Sequence, residues 1–250
     1  MRLEGKSIII TGASSGIGAA AARIFAEEGA SLVLSARRAA LLEQLAAELR
    51  SAGAQALTLA GDVRQEDVAK RLVGLAEAEF GGLDGAFNNA GTVGDMGPVV
   101  DMSAETWSYV QDINLKAGFF GAKYQIPAMQ RRGGGSIVFT SSFVGHTIGL
   151  PGMVAYASAK AGLVGMTQVL AAEHGGEGIR VNSLLPGGTR TEMAGDDPGT
   201  HAFVRNLHAL KRMAEPEEIA RAALFLLSDE ASFVTGAAML ADGGNSICKT

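Results

Sequence analysis

The sequence predicts a doubly wound α/β fold in a single domain, with a mostly parallel seven-stranded sheet covered by helices on both faces. Three observations carry that expectation. Short β-rich runs alternate with longer Ala/Leu-rich segments along the whole chain. The strand runs are continuous in apolar character, the mark of a sheet buried on both faces. Glycine, at 34 of 250 residues, has about double its usual share of ~7%. Proline is scarce, so the excess fits tight strand-to-helix turns rather than a fibrous or disordered chain.

In chain order, Ser7–Thr11 reads as the first strand and runs into a glycine turn. Ile17–Glu28 follows as a helix, with Ile17, Ala21, Ile24 and Phe25 at helical spacing on one face. Next come strand Ser31–Ala36, helix Ala40–Ala52, strand Ala56–Asp62 and helix Gln65–Phe80. Strand Gly85–Asn88 precedes one long helix, Ala104–Arg131. Strand Ser136–Ser141 precedes helix Tyr156–His174, and strand Arg180–Leu185 precedes an irregular stretch, Thr189–Leu210. That stretch mixes Gly, Asp, Pro and His and reads as a mobile loop. Pro216 opens helix Pro216–Ser228, where its missing N–H has no intrahelical partner to lose. Ala238–Ala241 is the last strand.

No linker, repeat or low-complexity tract divides the chain, so residues 1–250 are expected to form one nucleotide-binding domain with a substrate-binding loop at about 189–210. The formal net charge is −5, which makes nucleic acid an unexpected partner. Cys248 stands alone, so there is no intrachain disulfide and no sign of an oxidising compartment. The charged N-terminus does not read as a signal peptide. No stretch approaches the ~20 apolar residues of a membrane span. The expectation is a soluble cytoplasmic protein with no membrane partner.

The chemistry begins at Thr11-Gly12-Ala13-Ser14-Ser15-Gly16-Ile17-Gly18. Glycines let the backbone turn sharply and approach a pyrophosphate, and the helix behind them offers free N–H groups and a positive dipole end. This segment resembles the T-G-x-x-x-G-x-G motif of the short-chain dehydrogenase/reductase family. Asn88-Asn89-Ala90-Gly91 resembles that family's N-N-A-G segment, and the resemblance extends to Asp242-Gly243-Gly244. It implies a Rossmann fold and a nicotinamide coenzyme held by Gly12, Ser14, Ser15, Gly16, Ile17, Gly18, Asn89, Ala90 and Gly91. By the same resemblance Asp62 contacts the adenine and Val63 lies beside it; an Asp capping the following helix is the alternative.

An NAD site normally holds the adenine ribose with a carboxylate about 20 residues after the glycines. Here that position is Ala36, followed by Arg37 and Arg38. A 2′-phosphate is repelled by a carboxylate and bound bidentately by a guanidinium. NADP(H) is therefore favoured over NAD(H).

Tyr156 and Lys160 stand at i and i+4, on one face of a helix. Carbonyl reduction needs a proton donor, and the reverse reaction needs a phenolate-like base. An ammonium ~4 Å from the phenol, at an effective dielectric near 20, supplies about the 4 kcal/mol that a three-unit fall in the phenol pKa requires. The resemblance adds Ser142, rather than Ser141, as the group on the substrate oxygen, because Ser142-Phe143-Val144-Gly145 matches S-x-x-G. It adds Asn114 as the holder of a proton-relay water. It adds Pro186, Gly187, Thr189 and Thr191 as the segment over the nicotinamide, with Thr191 on the carboxamide. Tyr156 and Lys160 also touch the coenzyme in that family.

None of His146, His174, His201 and His208 has a recognised metal spacing, so no metal is expected. His146, Met153 and Met193 are candidate walls of the substrate pocket by position. The expected activity is NADP(H)-dependent hydride transfer between nicotinamide and a carbonyl or secondary alcohol, as in a carbonyl reductase or alcohol dehydrogenase. The alternatives are a 3-oxoacyl-carrier-protein reductase, with a basic rim from Arg131-Arg132 or Lys211-Arg212, and a catalytically silent nucleotide-binding regulator. Resemblance further implies a homotetramer packed through the helices at Ala104–Arg131 and Tyr156–His174 and through the last strand.

Overall fold

The computed structural model describes residues 1–248; the last two positions of the expected domain, 249 and 250, lie outside the described residues. The strands are β1 (Ser7–Thr11), β2 (Ser31–Ala36), β3 (Ala56–Ala60), β4 (Gly85–Asn88), β5 (Gly135–Thr140), β6 (Ile179–Pro186) and β7 (Ala238–Ala241). They form one sheet in the order β3-β2-β1-β4-β5-β6-β7, with every neighbouring pair parallel. Helices α1 (Gly16–Glu27), α2 (Ala39–Ser51) and α8 (Pro216–Leu227) contribute to the apolar cluster on one face. Helices α3 (Glu66–Phe80), α5 (Ala117–Arg132) and α6 (Val154–His174) contribute to the cluster on the other. β1 shows why the strands read as continuous: Ile8 and Ile10 enter the first cluster and Ile9 the second, all fully buried.

Two expectations are corrected. The long helix at Ala104–Arg131 is α4 (Ala104–Gln111) joined to α5 through a π turn at Asp112–Lys116. The Ala117 N–H there reaches back five residues to the Asp112 carbonyl. The irregular stretch Thr189–Leu210 holds a helix, α7 (Pro198–Leu207). Asp197 caps it, its carboxylate accepting from the Thr200 N–H at 2.6 Å, and Pro198 occupies the first turn. The Asp-Pro pair that looked like loop chemistry is a helix start. Its body buries no residue, which is why its periodicity was faint.

The order of strands reverses beside β1, which pairs with β2 on one side and β4 on the other. In an open α/β sheet the crevice at such a reversal, outside the carboxyl ends of the strands, is where a ligand binds.

Candidate active site

Register brings the functional segments to one edge. Thr11 aligns with Asn88, Asn88 with Phe139, and Thr140 with Leu184, so β1, β4, β5 and β6 end together. The turn after β1 packs closely on the turn after β4. The Thr11 hydroxyl accepts from the backbone N–H of Asn89 at 3.1 Å and of Ala90 at 3.2 Å. Gly12 has φ +69°, and a Cβ there would lie 2.9 Å from the Ala90 Cα. A Cβ on Gly18 would lie 2.2 Å from the Gly12 carbonyl oxygen. Only glycine fits either place.

Helix α1 starts behind this turn with no side-chain cap and no acidic residue in its first turn. Its first-turn N–H groups and dipole end are left for an anion. A glycine cradle and an uncapped helix together suit a dinucleotide pyrophosphate.

Beside the glycine turn, β2 stops at Ala36 and no carboxylate occupies the position after the glycines. The Arg38 guanidinium donates to the Ser14 hydroxyl at 3.1 Å and to the Ser15 hydroxyl at 2.6 Å. Its other arm meets the Glu192 carboxylate at 2.7 Å. Arg37 reaches the Tyr109 hydroxyl at 3.4 Å. Asp62 does not cap α3, whose cap position is Gln65. Its carboxylate instead accepts from the backbone N–H of Arg64 at 3.0 Å and from the Arg64 guanidinium at 2.6 Å, which lowers its pKa. Val63 is half-buried beside it.

Ser142, Tyr156 and Lys160 gather at the carboxyl end of β5. The Ser142 hydroxyl lies near enough to the Tyr156 phenol to oppose a rise in its pKa. The Ser142 Oγ accepts from the Val144 N–H at 3.1 Å, so its own proton is free to point at an oxygen. Ser141 faces away and donates to the Lys160 carbonyl at 2.7 Å. Lys160 is only 3% exposed. Its Nζ donates to the Thr140 carbonyl at 2.6 Å and lies 5.6 Å from the Tyr156 ring centre. Burial holds the Lys160 pKa down at about 7.

A Cβ on Gly91 would lie 2.9 Å from the Asn114 Oδ1 and 3.3 Å from the Lys160 Nζ. The line from Gly12 through Ala90 and Gly91 to Lys160 is thus continuous. Asn114 sits in the π turn with both amide donors used, on the Thr92 carbonyl at 2.8 Å and the Val110 carbonyl at 2.9 Å. Its Oδ1 accepts from the Thr92 N–H at 3.1 Å. The side chain thereby fastens the segment after Gly91 to the helix.

One expectation changes sign. The spacing argument has the Lys160 ammonium lowering the Tyr156 pKa. In the structure burial pushes the phenol above its ordinary value, and the Ser142 hydroxyl only opposes the rise. The lysine is turned to the Thr140 carbonyl and is itself desolvated, and it is not among the groups that shift the phenol.

The far wall of the cleft comes from the segment after β6. A Cβ on Gly16 would lie 3.0 Å from the Thr191 methyl, so this segment crosses the glycine turn. Pro186 ends β6, and the Gly187 N–H donates to the Ala241 carbonyl at 3.0 Å. Thr189 turns inward, its hydroxyl donating to the Gly187 carbonyl at 3.0 Å. Met193 is exposed, Met153 half-buried and His146 exposed. Cys248 is half-buried.

His208 is the residue that sequence reading undervalued: it is 2% exposed and both ring nitrogens are bonded to backbone. The signal was its place at the end of an unread helix.

A family model described as enoyl-(acyl carrier protein) reductase matches residues 12–246. The 2,5-dichloro-2,5-cyclohexadiene-1,4-diol dehydrogenase of Sphingobium indicum is 42% identical over 247 residues, covering 97% of this chain and 97% of the relative. The cyclohexanol dehydrogenase of an Acinetobacter species is 37% identical, covering 97% of this chain and 95% of the relative. The crystal structure of a short-chain type dehydrogenase/reductase from Mycobacterium marinum superposes with TM-score 0.94 at 36% identity, over 98% of this chain and 97% of that one. A glycine cradle opposite a serine–tyrosine–lysine cluster, on a parallel sheet shared with such relatives, leads to one conclusion: the chain belongs to the short-chain dehydrogenase/reductase family, oxidoreductases that act on alcohol and carbonyl groups with a nicotinamide coenzyme.

Proposed function

We propose that the protein is an NADP(H)-dependent reductase of cyclic ketones, running reversibly as a dehydrogenase of ring-borne secondary alcohols. The observation that carries the reaction is the buried Lys160, without a carboxylate partner among the described residues, set beside the Tyr156 ring with Ser142 acting on the phenol. The bound nicotinamide supplies or accepts the hydride. The rest belongs to the chain. Burial keeps the Tyr156 phenol protonated, the form that donates to a carbonyl oxygen. Ser142 adds a second donor to that oxygen and fixes it opposite the phenol. Lys160, poised at about 7, takes and returns a proton near neutrality behind Tyr156. Asn114 keeps Gly91 and Thr92 against Lys160.

NADP(H) is supported by Ala36 in place of an acid and by Arg38 beside Ser14 and Ser15, where a 2′-phosphate finds a guanidinium and two hydroxyls. The ring-shaped substrate is supported by two relatives whose names specify cyclohexane-type alcohols. Met153 and Met193 are read as a pliable apolar wall for such a ring. The acyl-carrier alternative asks for free basic residues at the mouth. Arg131 is paired with Glu77 and Arg212 with Glu218, while Arg132 lies with Asp84 at the opposite edge.

A homotetramer is supported by exposed Trp107 and Phe119 on α4 and α5, Val169 on α6 and Leu240 on β7. Light scattering at micromolar concentration checks it, a monomer being the contrary result. No described helix is long and apolar enough to cross a membrane, in keeping with a cytoplasmic enzyme.

The test of the reaction is a spectrophotometric screen of cyclic ketones, acyclic ketones and β-keto esters with both coenzymes. NADPH oxidation with cyclohexanone-type ketones, faster than with NADH, is expected. Inactivity across the screen with NADPH still bound favours the regulator instead.

A further inference from the structure

We propose that His208 is a positioning residue that ties the substrate lid α7 to the coenzyme segment after β6, so that coenzyme binding orders the lid. The proposal rests on reading Gly187–Thr191 as the nicotinamide segment. Helix α7 buries none of its residues, and Phe203 on it and Leu210 beyond it are exposed apolar groups. It is therefore attached to the body at few points. One is Val204, against which a Cβ on Gly188 would lie at 2.2 Å. Another is His208, one residue past the helix and almost wholly buried.

The hydrogen bonds determine the ring's protonation. The Gly188 N–H donates to Nε2 at 2.9 Å, so Nε2 carries a lone pair. The proton is then on Nδ1, which donates to the Val204 carbonyl at 2.7 Å. A neutral imidazole thus bridges the last turn of the lid to a peptide two residues from β6. A Cβ on Gly187 would lie 2.7 Å from Nε2, and one on Gly243 3.3 Å from Cδ2, so the backbone closes around the ring. The other side of the ring meets Phe143, with centroids 6.5 Å apart. Phe143 directly follows Ser142. One side chain therefore touches the lid, the coenzyme segment and the serine loop, while lying outside the set of proton-transferring groups.

Two substitutions separate the ring's roles. His208→Asn keeps a donor near the Nδ1 position and loses the acceptor for Gly188. His208→Gln places an amide oxygen near the Nε2 position and restores that acceptor. The NADPH dissociation constant is read by fluorescence, alongside KM and kcat for an accepted ketone. His208→Asn is expected to raise the NADPH dissociation constant and the ketone KM together, by about ten-fold. At saturation kcat stays within about three-fold, since the reacting groups are untouched. His208→Gln is expected to stay near wild type. An unchanged dissociation constant in His208→Asn overturns the proposal, as does a His208→Gln variant as impaired as His208→Asn.

Should His208→Asn not fold, hydrogen exchange on the wild type decides. NADPH is expected to slow exchange across residues 198–207, and no slowing in a chain that binds NADPH overturns the proposal alone. A wild type that binds no dinucleotide overturns the coenzyme reading as well.

Discussion

At the amino ends of the strands, Lys6 pairs with Asp229 and Arg132 with Asp84, while Arg180 donates to the carbonyls of Leu226 at 2.7 Å and Ser228 at 2.9 Å. At the carboxyl ends, Lys160 is buried with one backbone carbonyl as its hydrogen-bond acceptor and has no acidic partner among the described residues. Lys6 and Arg132 at the first edge are matched by carboxylates, and Arg180 by several carbonyls. The cation of the second is unmatched, and its pKa falls to about 7. On the proposed function, the difference separates charge that holds the fold from charge held at a cost for chemistry. Each prediction tests that division at one position.

The largest effect belongs to Lys160→Met. Turnover is expected to fall by about 10²- to 10⁴-fold, the usual worth of positioned acid–base groups. The folded-state pKa, about 7, lies below the ordinary 10.5, so between those values the unfolded chain binds more protons and stability rises with pH. The variant is expected to melt higher at neutral pH, by about 2–4 °C per kcal/mol relieved, and to lose that rise. Thermal melts from pH 7 to pH 10 check both; a lower melting point with the slope intact refutes the division. Next is Arg38→Asp. Loss of a charge-assisted contact and gain of a like charge are expected to shift the NADPH/NADH ratio of kcat/KM by about 10- to 100-fold toward NADH.

Glu192→Ala is smaller. It removes the carboxylate that meets Arg38 at 2.7 Å, and both partners are substantially exposed. Such a pair is worth about 0–1 kcal/mol, so NADPH binding is expected to tighten a few-fold, with NADH little changed in the same titration. Arg132→Ala, at the matched edge, is expected to do least: a melting point lower by a few degrees at most, with unchanged turnover.

Those two edges were not equally readable. The strands and the glycine turn follow from local rules: apolar runs such as Ile8–Ile10, and glycines where a side chain would collide with Ala90. Tyr156 and Lys160 were legible because helical spacing puts them on one face. The sign of the Tyr156 shift was not, since it depends on how the folded chain desolvates the phenol and where Lys160 finds an acceptor. The π turn at Asn114 is set by contact with Thr92, 22 residues earlier in the chain. Helix α7 has a capping Asp-Pro start and little buried face, so periodicity had nothing to report. The burial of His208 was not legible because its partners, Gly188 and Gly243, come together only in the fold.

The central claim is that a phenol kept protonated by burial donates to the carbonyl oxygen beside the coenzyme. Rapid-mixing reduction of an accepted ketone by NADPH, with Tyr156→Phe and wild type compared and the NADPH dissociation constant measured on the same samples, tests it most directly. The account predicts a single-turnover rate lower by about 10²- to 10⁴-fold with coenzyme binding unchanged. A rate within ten-fold of wild type would contradict it.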